Sequence, residues 1–113
     1  MNKNTVLSLS PDRDSLKARE SMLRGNGMEV ISVMSSIQAR FEIEMGRCGV
    51  FLICYRVSPT EADELTRLFR KSCPEGRVVF VGKTRDALAP AGIDSVVADS
   101  GSPESLTRAI TAA

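Results

Sequence analysis

The sequence predicts an α/β domain built on one doubly wound parallel sheet, and three observations carry that expectation. Short β-prone apolar runs recur five times, helical patterns alternate with them, and Ser, Pro, Asp or Gly punctuates the junctions. Strands alternating with helices require right-handed crossovers, which place helices on both faces of a parallel sheet. Of 113 residues, 42% are hydrophobic. That is material for one core, so residues 1–113 are expected to form a single domain.

Thr5-Val6-Leu7-Ser8-Leu9-Ser10 reads as the first strand, closed by the turn Pro11-Asp12. A helix is expected from Asp14 to Asn26, with Leu16, Ala18, Met22 and Leu23 inward and Gly25-Asn26-Gly27 ending it. Met28 to Met34 is the second strand. The next segment is ambiguous: Ile37, Ala39, Phe41, Ile43 and Met45 alternate with polar residues at a strand period. It is assigned to helix because Ala, Gln, Arg, Glu and Met favour helix and a parallel strand pair needs a crossover here. Val50-Phe51-Leu52-Ile53-Cys54 has the continuous apolarity of a central strand covered on both faces. Ser58-Pro59 then opens a helix bearing Ala62, Leu65, Leu68 and Phe69, which stops near Cys73-Pro74. Val78 to Gly82 is the fourth strand. The connection Thr84 to Ala91 contains Pro90 and has room for one or two helical turns at most. Ile93 to Ala98 is the fifth strand, and Ser102-Pro103-Glu104 starts a last helix with Leu106, Ala109 and Ile110 inward.

Fifteen basic against fourteen acidic residues leave a formal charge of +1, so no global field favours nucleic acid or an anionic membrane. The N-terminal apolar run is too short for a signal peptide or membrane span, which predicts a cytoplasmic protein. Cys48, Cys54 and Cys73 lack metal-site spacing and the sequence has no His, so three reduced thiols, two of them buried, are expected and no metal. No Gly-rich loop follows the first strand to cradle a nucleotide. Ser8, Ser10 and the single Tyr55 are a weak version of a flavin site, and no cofactor is expected.

Ligands of such sheets gather at the carboxyl ends of the strands. There the chain resembles the receiver domain of two-component response regulators, and the resemblance spans nearly its whole length. It rests on the turn Ser10-Pro11-Asp12, on Gly27-Met28-Glu29-Val30, on Gly92-Ile93-Asp94-Ser95 and on Ser102-Pro103-Glu104-Ser105-Leu106. The resemblance implies a flavodoxin-like sheet of order 2-1-3-4-5, in which the length of the Thr84 to Ala91 connection leaves the helix between the fourth and fifth strands short or missing. It also sets the receiver's acidic metal pair on Ser10 and Pro11, its phosphoacceptor aspartate on Cys54, its hydroxyl on Gly82, its lysine on Asp99 and its aromatic switch on Val96. Each position departs from the pattern. A register displaced by one residue would bring in Asp12 or Lys83, but Val50 to Val57 contains no carboxylate.

What this implies is a receiver-like module, not an enzyme, that works without phosphorylation in a two-component phosphorelay. Its partners would be signalling proteins: a histidine kinase, another regulator or an output domain, with a weak homodimer also open. Contacts are expected on exposed polar positions of the first helix and the adjoining strand-end loops. Two alternatives remain open: a redox sensor built on Cys54, with Arg56 as a thiolate stabiliser, and a small-ligand binder at the strand ends. Asp99 is expected to be solvated, or else paired with Lys83 or Arg56; Arg67, Arg70 and Lys71 are expected to form a solvated outer face.

Overall fold

The computed structural model describes residues 2–84, 89–99 and 101–111. Its elements are β1 (Asn2–Leu9), α1 (Arg13–Gly25), β2 (Glu29–Val33), α2 (Ser36–Met45), β3 (Cys48–Cys54), α3 (Pro59–Ser72), β4 (Arg77–Gly82), β5 (Ser95–Ala98) and α4 (Pro103–Thr111). All strand pairs are parallel and the sheet order is β2-β1-β3-β4-β5, as the resemblance implied. The short helix considered between Thr84 and Ala91 falls largely on residues 85–88, outside the described residues.

Strand alternation divides the core into two layers. Leu7, Leu9, Phe51, Ile53, Val78 and Phe80 meet Ala39 and Ile43 of α2 and Ala62, Leu65 and Phe69 of α3. Val6, Val30, Leu52, Cys54, Val79, Val81 and Val97 meet Leu23 of α1 and Leu106, Ala109 and Ile110 of α4. Every residue of β3 is buried, because both layers close over the middle of the sheet. A fully buried side chain of this size contributes roughly 2 kcal/mol of transfer free energy, so β3 anchors both layers.

Local chemistry starts and stops the helices, at α1 and α3 close to where the sequence predicts. Asp12, Ser35 and Ser58 cap α1, α2 and α3 by accepting from backbone amides, and Gly46 ends α2 in the left-handed conformation at φ 70°. Gly76 must lack a side chain, since a Cβ there would lie 2.6 Å from the Phe69 ring. On α1 the inward residues are Leu16, Arg19 and Leu23, whereas Ala18 is exposed and Met22 only half-buried. Leu16 and Leu23 are thus inward as expected and Met22 packs at the edge of the core, but the place given to Ala18 belongs to Arg19: spacing of three and four residues from Leu16 selects it, a residue that apolar counting passes over. On α3, Thr66 is buried and Leu68 is half-buried. The register of β5 with β4 runs from Ser95, and the preceding Asp94 extends the contact by donating its amide to the Val78 carbonyl at 2.9 Å and accepting the Val78 amide on its carboxylate at 2.8 Å.

The ambiguous segment is helical, and the structure explains its strand-like pattern. Ala39 and Ile43, four residues apart, face the core, while Ile37, Phe41 and Met45, also at four-residue steps, face outward. Two opposite apolar stripes on one helix place hydrophobic residues at every second position.

Candidate functional site

Ser10, Cys54, Gly82 and Asp99 come together at the carboxyl edge of the sheet, as the strand order requires. Ser10 is completely buried and Cys54 is 1% exposed; the Cys54 thiol donates to Ser10 Oγ at 3.4 Å. Ser10 Oγ also accepts from the Asp12 amide at 3.1 Å, which fixes the turn at Pro11. Asp12 points its carboxylate away into α1, where it accepts from the Ser15 amide at 3.0 Å and the Ser15 hydroxyl at 2.5 Å. Those two bonds hold the Asp12 carboxyl below its ordinary value. The floor of the site is thus a serine–cysteine contact, and the Asp12 carboxylate is occupied as a helix cap. Among the described residues, no three His, Cys, Asp or Glu side chains converge as a metal-binding group.

Asp99 is neither free in solvent nor paired with Lys83 or Arg56. It binds Arg19 of α1, Nη2 to Oδ1 at 2.9 Å, with side-chain exposures of 8% for the arginine and 36% for the aspartate. Arg19 Nη1 is buried with no hydrogen-bond partner among the described residues. Arg56 and Lys83 instead lie over the Tyr55 ring, 5.2 and 5.6 Å from its centroid, so the two cations gather on the aromatic beside β4. Arg19 is the site residue the sequence reading missed. The available signal was its place three residues after Leu16 on the inward face; its partner, 80 residues away, had no local signature.

Arg70 is also not the solvated cation expected on α3. Its guanidinium donates to the Gly92 carbonyl at 3.0 Å, the Gly76 carbonyl at 2.7 Å and Asp94 at 2.5 Å. All three cysteines are buried, where two were expected. Burial and the neighbouring Glu42 push the Cys48 thiol up to about 11, so it is not a nucleophile at neutral pH. Two clefts open on the domain, neither of them lined by Ser10 or Cys54. One, of about 280 Å³, lies between α1 and α4 and is lined by Ser15, Arg19, Met22, Asp99 and Leu106. The other, of about 340 Å³, is lined by Tyr55, Val57, Ala62, Phe80, Ala89 and Pro90.

A five-stranded parallel sheet of this order, with the candidate residues along its carboxyl edge, defines the architecture of a receiver domain. No protein-family model and no characterised protein matches the sequence. Solved structures match it closely in shape. A response regulator receiver protein from Sinorhizobium medicae is 19% identical with a TM-score of 0.77, covering 95% of this chain and 90% of that one. The Vibrio cholerae chemotaxis protein CheY4 is 14% identical with a TM-score of 0.77, covering 92% of each chain. The N-terminal domain of a response regulator/sensory box/GGDEF three-domain protein from Carboxydothermus hydrogenoformans is 14% identical with a TM-score of 0.79, covering 94% of this chain and 90% of that chain. The chain has the receiver fold. No helix among the described residues is long and apolar enough to cross a membrane.

Proposed function

We propose that the chain is an atypical receiver of two-component signal transduction, a cytoplasmic module that binds a signalling partner without being phosphorylated. One observation carries the reading: the residue ending β3 is Cys54, buried against Ser10. Receiver chemistry needs Mg²⁺ held by several oxygens, an acceptor carboxylate, and a cation to neutralise the transferred phosphoryl group. Here Ser10 and Pro11 carry no carboxylate, Asp12 is engaged as a cap, and the lysine position is Asp99, whose charge faces Arg19. Burial of Cys54 at 1% exposure weighs against the redox alternative, because reactive thiols are solvent-accessible. With no nucleophile and base assembled at the strand ends among the described residues, the reading is of binding rather than catalysis.

The test is incubation with Mg²⁺ and acetyl phosphate followed by intact mass. We expect an unmodified chain and no Mg²⁺-dependent change at the strand ends by NMR; a stable phosphoryl adduct would sink the proposal. A pulldown with the purified domain then identifies the partner as a kinase, another regulator or an output domain.

A further inference from the structure

Among the described residues, the exposed large hydrophobic side chains are Met34, Ile37, Phe41 and Met45, at 38%, 82%, 57% and 53% exposure. All four lie on α2 or in the turn leading into it. Such clustering differs from the scattered apolar exposure of ordinary surfaces and marks an interaction face. Ile37, Phe41 and Met45 recur every four residues along roughly 12 Å of helix. They lie opposite Ala39 and Ile43, which hold α2 to the sheet, so the stripe stands clear of the body of the domain.

The charges beside this stripe identify what covers it. At 100° per residue, Arg40 and Glu44 fall on one flank of Phe41, and Gln38 and Glu42 on the other. In an antiparallel pair of identical helices related by a twofold axis, each flank faces its own copy. With Phe41 on the axis, Ile37 meets Met45 of the second copy, and Arg40 lies within about 3 Å along the axis of the second copy's Glu44, twice by symmetry. Parallel pairing would instead set Glu44 against Glu42 of the second copy. On the remaining flank Glu42 is already neutralised by Arg47 at 2.6 Å. Among the described residues Arg40 is held by Glu64 at 3.9 Å, and both side chains are at least half exposed. A solvent-exposed contact that long contributes little, so Arg40 is free to turn.

We infer that the outer face of α2 is a self-association surface, on which a second copy of this chain packs antiparallel with Phe41 at the twofold axis. Four side chains on one short helix bury less than the roughly 1,200 Å² of a standard stable interface, so the dimer is weak, forming at high micromolar concentration. This inference does not depend on the signalling reading above.

Sedimentation equilibrium of the 113-residue chain from about 10 μM to about 1 mM tests it. We expect concentration-dependent dimerisation that Phe41→Ser abolishes. Arg40→Glu alone and Glu44→Arg alone should each weaken the dimer about tenfold, because each creates two like-charge contacts. The combined Arg40→Glu/Glu44→Arg variant should recover affinity to within about threefold of the parent. All these positions are exposed, and circular dichroism checks that each variant folds. A monomer throughout the range overturns the inference. A dimer indifferent to Phe41→Ser places association elsewhere, and loss without recovery in the double variant overturns the antiparallel arrangement.

Discussion

Two arginine–aspartate clasps bracket the edge strand β5, and they are built differently. At its amino end Arg70, from α3, holds Asp94; at its carboxyl end Arg19, from α1 on the opposite face of the sheet, holds Asp99. Arg70 is 29% exposed and also reaches the Gly76 and Gly92 carbonyls, while Asp94 also accepts from the Val78 amide. Arg19 is 8% exposed and keeps a buried Nη1 without a partner among the described residues. The first clasp adds satisfied bonds to a short strand that has few of its own. The second holds a charge out of water with one counterion, so its contribution depends on that counterion being present. The receiver-like edge of the molecule therefore contains the more fragile of the two.

The sharpest test removes Asp99. Asp99→Ala leaves the buried guanidinium uncompensated and should lower stability by about 2–3 kcal/mol in urea unfolding. A loss below about 0.5 kcal/mol would mean that Arg19 is already solvated and the comparison fails. Removing Asp94 should cost less: Asp94→Ala gives up the Val78 and Arg70 bonds near solvent, about 1–2 kcal/mol.

Asp94 also predicts a pH dependence. Burial pushes its carboxyl up, but the Val78 amide and the Arg70 guanidinium outweigh burial and hold it below its ordinary 3.8. A carboxyl depressed in the folded state contributes stability that is complete above its unfolded value and is lost as pH falls through its native one. The stability gap between the parent and Asp94→Asn should therefore be constant above about pH 5 and shrink in more acidic solution. A gap independent of pH would remove Asp94 as an acid-sensitive contact.

The smallest effect is expected from the cation of the buried clasp. Arg19→Met keeps most of the aliphatic stem, abolishes the unpartnered Nη1 and leaves Asp99 to solvent, so stability should stay within about 1 kcal/mol of the parent. If removing the arginine costs as much as removing the aspartate, the pair is a net stabiliser and the asymmetry argued here is wrong.

The order of elements was legible in the sequence because strand burial, capping residues and prolines act over a few residues: Ser58-Pro59, Gly25-Asn26-Gly27 and the apolar run ending at Cys54 each announce a local geometry. The residue types at the strand ends were legible as well, once that order set them side by side. The pairing of charges was not, since Arg19 and Asp99 are 80 residues apart and Arg70 and Asp94 are 24 apart. Charge partners are chosen by how helices lean across the sheet, which only packing decides. Tertiary structure likewise separated the two apolar stripes of α2. An alternating sequence tells that every second residue is hydrophobic, but only a sheet lying against Ala39 and Ile43 makes Ile37, Phe41 and Met45 a surface.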